Sequence, residues 1–335
     1  MKNKRILVTG ATGLIGYNLV KRLMNCGGVE VIALSRNKAK LEKCFSEFLG
    51  APNFKCVAHD VSDKLPDIGG VDLIFHAAGP MERKIIDNFP VDVVLPNLTG
   101  TINCLEHMKA LSAKGNTPRL VLFSSVTVYG NNTNADRTVS EEDTGITEAL
   151  HSKNAPYSQS KRMSEVIATS YAKQYESDVV IARLSTVYGE TYFRPDTAFF
   201  QFYDSAFKGE NITINSPGIA RRDNIYIDDA IEGLITIALK GKAGEAYNVS
   251  SNGDGGNFAA IDEIASQILT IANRKSKAKN NDLKVDYRET GDFPRAAGLK
   301  LDNSKLKGLG WSIKTGLEEG LAKTFEKMEE NDTSR

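Results

Sequence analysis

An α/β fold built on a doubly wound parallel sheet is predicted from three observations. Short apolar runs alternate with longer amphipathic segments through the first half of the chain. The runs are apolar throughout, as strands covered on both faces must be. A glycine-rich turn joins the first run to the first amphipathic segment. Alternation of this kind implies parallel strand–helix–strand units.

The elements follow in order. Arg5–Thr9 is a strand and Leu14–Met24 a helix. Val29–Leu34 is a strand, followed by a helix over Lys38–Leu49. Val71–Ala77 is a strand and Val93–Lys109 a long helix. Leu120–Ser124 is a strand, Tyr157–Tyr175 a helix and Val179–Leu184 a strand. After about Gly189 the rhythm breaks into aromatics, prolines and glycines, with one amphipathic piece near Phe199–Lys208. Residues 228–240 are helical again, and Phe258–Ile271 and Gly316–Met328 lie in a mixed tail. The expected organisation is a core of residues 1–189 plus about 225–245. A smaller interleaved lobe takes about 190–224 and 246–330.

The 335 residues suffice for such a core, with 41% hydrophobic and 25% charged residues. Lys+Arg and Asp+Glu are both 42. That balance speaks against a bulk nucleic-acid or membrane-surface binder. Cys26, Cys44, Cys56 and Cys104 form no C-x-x-C pair, and no histidine stands at metal-ligand spacing from them. Reduced thiols, no metal and a cytoplasmic location are expected. No run of about 18–20 apolar residues could span a membrane. The basic N-terminus before an apolar run resembles a signal peptide, but the run is too short and glycine-rich and reads as a strand. The basic segment Arg274–Asn281 reads as a solvated loop.

The turn Thr9-Gly10-Ala11-Thr12-Gly13-Leu14-Ile15-Gly16 points to a bound dinucleotide. Gly10 permits the tight turn, Gly13 lets the backbone approach a pyrophosphate, and Gly16 lets helix pack on strand, the Rossmann arrangement. Thr12, Leu14 and Ile15 join them at the helix N-terminus, where free N–H groups and the dipole favour anions. The end of the second strand selects the cofactor. An acid there would bond the ribose hydroxyls, but the chain has Ser35-Arg36-Asn37. Arg36 suits a 2′-phosphate, so NADP(H) is preferred; NAD, with Arg36 stacked on adenine, is the alternative.

Tyr157 and Lys161 stand at i and i+4 of a helix and so share a face. A phenol titrates near pH 10. A close ammonium and an oxidised nicotinamide would bring it toward working pH, making Tyr157 the acid/base. Tyr17 and Lys21 match the same spacing, on the helix after the glycine turn, and read as structural. Context favours Tyr157, because Phe123-Ser124-Ser125-Val126-Thr127-Val128-Tyr129-Gly130 precedes it and supplies the Ser125 and Thr127 hydroxyls. His76 reads as a packed strand-end residue, and His107 and His151 as surface.

These residues together resemble the extended short-chain dehydrogenase/reductases, the NAD-dependent epimerase/dehydratase group acting on nucleotide sugars. The likeness covers nearly the whole chain. It implies that Asp60 and Val61 meet the adenine, and that Ala77, Ala78 and Asn97 (of Asn97-Leu98-Thr99-Gly100-Thr101) line the cofactor with Ser124. It makes Ser125, Tyr157 and Lys161 the catalytic residues, the last two also touching the cofactor. Arg183 through Gly189 resembles RxxNxYG with Thr186 in place of the usual Asn. Arg222 through Asp229 resembles RDFxYVDD, and Arg288 opens a late RxGD-like stretch. By that likeness Arg222 and Arg288 clamp a nucleotide diphosphate, with Thr127 and Thr186 also facing substrate. Leu309-Gly310-Trp311 resembles the family's terminal LGW. A homodimer through the helices near Asn97–Lys109 and Tyr157–Tyr175 is also implied, although their apolar faces could equally be core.

Members that dehydrate carry Asp-Glu after the Ser/Thr, and decarboxylating members carry Glu where Thr127 lies. Here the stretch SSVTVYG is similar to the SSATVYG of UDP-galactose 4-epimerases. The expectation is a nucleotide-sugar epimerase working through a 4-keto intermediate. The alternative is an NADPH-dependent 4-keto-sugar reductase. A noncatalytic dinucleotide-binding protein is a third reading, opposed by the retained Ser125, Tyr157 and Lys161. The nucleotide and the sugar have no motif.

Overall fold

A computed structural model describes residues 1–80, 82–130, 137–145, 148–275, 283–288 and 298–333. The chain opens β1 (Lys4–Thr9), α1 (Leu14–Cys26), β2 (Val29–Ser35), α2 (Lys38–Cys44) and β3 (Phe54–Ala58). It continues with β4 (Leu73–His76), α3 (Arg83–Asn88), α4 (Val91–Ser112), β5 (Arg119–Ser125) and β6 (Arg137–Val139). Then come α5 (Ala155–Tyr175), β7 (Asp178–Leu184), β8 (Thr186–Tyr188), α6 (Ala198–Phe207), β9 (Ile212–Ile214) and β10 (Arg221–Tyr226). The remainder is α7 (Ile227–Lys240), β11 (Ala246–Val249), β12 (Phe258–Ala260), α8 (Ile261–Lys275), β13 (Val285–Tyr287), β14 (Leu299–Leu301), α9 (Ser304–Lys307) and α10 (Leu317–Thr333).

Seven strands form one sheet in the order β11-β7-β5-β4-β1-β2-β3, and every pairing in it is parallel. The order reverses direction between β1 and β4, and such a switch point opens a crevice at the carboxyl ends of the strands. Thr9 pairs with His76, and His76 with Leu122. The loops after β1, β4 and β5 therefore leave the sheet side by side. Apolar packing on both faces drives this: Leu7, Ile32, Ile74 and Leu120 are buried on one face, and Ile6, Val8, Val31 and Phe75 on the other.

The structure departs from the sequence expectation at four places. The second helix ends at Cys44, not Leu49, because the fully buried Phe45 turns inward between Tyr17 and Phe54. A short 3-10 turn, Ser46–Phe48, follows. The edge strand β3 has no counterpart in the expected elements; it is only half-buried and carries a weak apolar signal. β11 belongs to the main sheet, so the core runs past 245 to Val249. β6 pairs with β14, which ties part of the first half of the chain to its tail. Arg274 and Lys275 close α8, and the rest of the basic segment lies outside the described residues. The smaller sheets are β12-β10-β8, β13-β9 and β14-β6. Among the described residues no helix is long and apolar enough to cross a membrane.

The tail is clipped to the core at α7. The Asp229 carboxylate accepts from Thr315 N at 2.9 Å and Lys314 N at 3.2 Å, and Trp311 Nε1 donates to the Asp229 carbonyl at 3.0 Å. Asp229→Ala leaves the buried Thr315 N–H unpaired. Its expected cost is about 2–3 kcal/mol in denaturant unfolding, and a loss below about 0.5 kcal/mol would contradict the clip.

Candidate functional site

The three glycines of the first turn are there for three different reasons. Gly10 has φ +65°, and a Cβ on it would lie 2.7 Å from Ala78 N, so β1 and the β4 loop touch backbone to backbone. A Cβ on Gly16 would lie 2.3 Å from Gly10 O, so α1 sits directly on the turn. Gly13 has φ −80° and its Cβ would meet only Gly10 O, at 3.4 Å. Nothing in the protein demands a glycine there; the open side is the one a ligand's phosphates would approach. Gly13 caps α1 with no side-chain hydrogen bond, and no acid stands in the first turn. The N–H groups and positive dipole end suit an anion there, with Leu14 and Ile15 half-buried beside it. The turn thus fits a dinucleotide pyrophosphate.

The loop after β4 is organised by a residue that no sequence motif marks as an organiser. The buried Thr9 hydroxyl accepts from Ala78 N at 3.3 Å and shares a hydrogen bond of 2.8 Å with His76 Nδ1. Burial and then the Lys161 charge push His76 down to about 3, which keeps the imidazole neutral. This holds Ala77 and Ala78, both half-buried, beside Gly10. Gly79 completes the loop, because a Cβ there would lie 2.4 Å from Asn97 Oδ1 and 3.3 Å from Lys161 Nζ.

At the far end of β2, Thr12 and Ser35 share a hydroxyl–hydroxyl hydrogen bond of 2.9 Å. Arg36 is exposed, with Nη1 4.0 Å from Asp60 Oδ2. That contact is long and solvated and holds the guanidinium weakly. Asp60 also accepts from Ser62 N at 2.9 Å, shaping the turn that buries Val61. Arg36 and Asp60 thus meet at the place where the adenosine end of a dinucleotide would lie.

The catalytic candidates converge. α5 is entered through Pro156, which suits a first helical turn. Tyr157 lies within hydrogen-bonding reach of the Ser125 hydroxyl. Lys161 is buried, 6.0 Å from the centroid of the Tyr157 ring, and donates to the Phe123 carbonyl at 3.0 Å. Burial pulls Lys161 down to about 8, opposed by Glu165. Burial raises Tyr157 above the ordinary phenol value, and the Ser125 hydrogen bond opposes the rise. The sequence expectation of a lowered phenol is therefore not met by the protein alone: Lys161 points at a carbonyl, and desolvation dominates. Asn97 Nδ2 donates to Ser160 Oγ at 3.0 Å, and Ser160 Oγ donates to the Tyr157 carbonyl at 3.0 Å, so α4 fixes the first turn of α5. Asn97 Oδ1, Ser124 Oγ and Thr127 Oγ1 are buried without a hydrogen-bond partner among the described residues. All three come from segments that border the crevice, and orphaned polar atoms there suit ligand atoms.

The duplicate pair is structural. Tyr17 is buried against Phe45, and Lys21 sits over its ring while pairing with Glu47 at 3.1 Å. His151 is exposed, but His107 is half-buried with its Nε2 shielded from solvent, a correction to the surface expectation. The substrate candidates are less gathered. Thr186 is half-buried and pairs with Asn224 across β8 and β10. Arg222 is exposed on β10, with Nη1 on the Arg221 carbonyl at 3.0 Å. Arg288 is exposed after β13, its N–H on the Ile214 carbonyl at 2.8 Å. The two arginines stand on different small sheets, neither paired with an acid among the described residues. The rest of the late motif, Glu289 through Asp292, lies outside them.

Comparison with known proteins agrees with this geometry. A family model described as the NAD dependent epimerase/dehydratase family matches residues 6–250. UDP-glucuronic acid decarboxylase 6 of Arabidopsis thaliana is 30% identical over 321 residues, covering 95% of this chain and 87% of its own. The UDP-glucuronic acid 4-epimerase of Bacillus cereus, in complex with UDP-glucuronic acid and NAD, is 26% identical with a TM-score of 0.78, covering 97% of this chain and 99% of its own. The dTDP-glucose 4,6-dehydratase of Streptomyces venezuelae, with NAD bound, is 25% identical with a TM-score of 0.80, covering 98% of each. Both structures hold NAD, so they lend no support to the preference for NADP(H).

The glycine argument is testable by two alanines. Gly13→Ala is expected to melt like the native chain while weakening dinucleotide binding at least about tenfold, roughly 1.4 kcal/mol, by calorimetric titration. Gly16→Ala is expected to lower stability by about 1–3 kcal/mol through overpacking. Equal effects of the two on folding would contradict the separate roles.

Proposed function

The chain belongs to the NAD dependent epimerase/dehydratase family, and we propose that within it the protein is an epimerase of a nucleotide diphosphate sugar, working through a transient 4-keto intermediate. One observation carries the choice of reaction. The Tyr157, Ser125 and Lys161 constellation is complete, while the positions after Ser125 are Val126 and Thr127. Tyr157 can move a proton on oxygen, but the carboxylates that elimination or decarboxylation would recruit there are replaced by an apolar side chain and a hydroxyl.

Bound dinucleotide supplies the hydride acceptor and donor in the crevice. The chain's own part is the proton and the placement. Tyr157 Oη takes the proton of the sugar C4 hydroxyl and returns it to the ketone after the ring has turned over. Ser125 holds the same oxygen. The Lys161 ammonium stabilises the phenolate through space, and its hydrogen bond to Phe123 keeps it at that level of the helix. Arg222 and Arg288 are assigned to the diphosphate and Thr127 and Thr186 to the sugar. Their exposed or half-buried state supports ligand contact without giving its geometry.

A second reading, reduction of a 4-keto sugar by dissociating NADPH, is favoured by Arg36. Its exposed, weakly held guanidinium can fork onto a 2′-phosphate, and it is the basis for NADP(H) as the proposed cofactor. We also propose a homodimer through α4 and α5. These helices pack on one another and leave Val91, Leu95, Met163 and Val166 exposed.

The nucleotide released on denaturing the purified protein separates the readings. Near-stoichiometric retained NAD(P)+ is expected for the epimerase. An empty protein that oxidises added NADPH with a 4-keto sugar would favour the reductase. Tyr157→Phe is expected to keep dinucleotide binding and to lose about 10²–10⁴-fold in kcat, and full activity would overturn the proton role.

A further inference from the structure

Outside the crevice, a buried charge with every guanidinium nitrogen hydrogen-bonded belongs to Arg183. Its side chain and that of Glu165 are 9% and 6% exposed. They form a bidentate pair, Nε to Oε1 at 3.0 Å and Nη2 to Oε2 at 2.9 Å. The remaining Arg183 nitrogen, Nη1, donates to Tyr129 Oη at 3.0 Å and to the Glu141 carbonyl at 3.1 Å. Tyr129 Oη donates its own proton to Asn248 Oδ1 at 2.7 Å. Glu165, Arg183 and Tyr129 each lie on an element that bears on the site. Glu165 is one helical turn after Lys161 on α5. Arg183 is on β7, level with Ser124 of β5. Tyr129 ends the 3-10 turn that starts directly after Ser125.

Stability alone does not call for such a pair. Two desolvated charges are about as stable as a well-packed apolar pair of the same volume. A positional role is the better account. We propose that Glu165 and Arg183 are positioning residues for the acid–base apparatus: their fork locks the catalytic helix to the turn after Ser125 and keeps a compensated carboxylate one turn from Lys161. This rests on the reading of Lys161 as the partner of Tyr157.

The electrostatic half of the proposal has a definite sign. Lys161 faces Tyr157 and Glu165 from its own helix, His76 from β4 and, beyond Glu165, Arg183 from β7. His76 is neutral. Asn97 from α4 and Phe123 from β5 contribute uncharged groups. Burial lowers Lys161 and Glu165 raises it. Removing the carboxylate while leaving Arg183 must therefore lower Lys161 further. Removing the guanidinium must raise it, because Glu165 is then unmasked.

The test follows the titration of Lys161 in the purified full chain by NMR of side-chain-labelled lysine, the resonance identified by its loss in Lys161→Met. Glu165→Gln is expected to move the midpoint down by about one unit, and Arg183→Met to move it up by about one unit. The double variant should return close to the native value. No movement in either single variant, or movement of both in the same direction, would overturn the proposal, since general loosening of a core has no such sign. Each single variant decides its sign alone if the other fails to fold. If neither folds, Arg183→Lys keeps the charge without the fork and is expected to leave the midpoint unmoved; a rise like that expected for Arg183→Met overturns the proposal. None of these readouts uses a nucleotide sugar, so they stand or fall separately from the reaction assigned above.

Discussion

One buried hydrogen bond, from Lys161 Nζ to the Phe123 carbonyl, sets the geometry on which the site depends. An ammonium without water is costly unless it is paired or hydrogen-bonded. Here the partner is a backbone atom near the end of β5, so α5 has one rotation and one height at which it can dock. Tyr157, one turn earlier on the same face, is then brought to Ser125. Near the site, uncharged groups dock α5 on α4. Asn97 and Ser160 tie α4 to the first turn of α5, and Ser164 Oγ adds a 2.9 Å hydrogen bond to the Asn97 carbonyl. The Glu165 fork ties the following turn to β7, and breaking a buried pair of this kind by removing one partner costs about 3–5 kcal/mol.

The dinucleotide side of the crevice is built by close approach of backbone, not by charge. Gly10 against Ala78 and Gly16 against Gly10 leave no space for side chains. Thr9 and the neutral His76 hold the second wall of that contact. Because β1, β4 and β5 are neighbours in the sheet, the glycine turn and the Ser125–Tyr157 pair open into the same crevice. The fold therefore brings the glycine turn and the proposed acid–base pair together before any substrate contact is specified.

Much of this was legible in the sequence because it is periodic or local. The parallel strands are continuous apolar runs, and the glycine turn and the i, i+4 spacing of Tyr157 and Lys161 are short-range patterns. What was not legible depends on distant contacts. α2 stops early because Phe45 finds the core. β3 is an edge strand with a half-exposed face. β11 joins the sheet after the lobe has begun. In the protein alone, burial raises the Tyr157 phenol against the Ser125 hydrogen bond, and the Lys161 ammonium donates to the Phe123 carbonyl. The Glu165–Arg183 pair gave no sequence signal beyond the one-turn spacing of Glu165 from Lys161.

The family likeness leaves the reaction open, since its members resembling this chain decarboxylate, dehydrate or epimerise. Our proposal of proton movement on oxygen alone rests on the residues after Ser125. Turnover of a nucleotide sugar in deuterated water, with the product examined by NMR, tests this most directly. If Tyr157 acts only on the C4 hydroxyl and hydride returns to C4, the product carries no solvent deuterium on carbon. Deuterium at C5 would show that a carbon-bound proton had been removed or a carboxyl group lost, and would contradict the account.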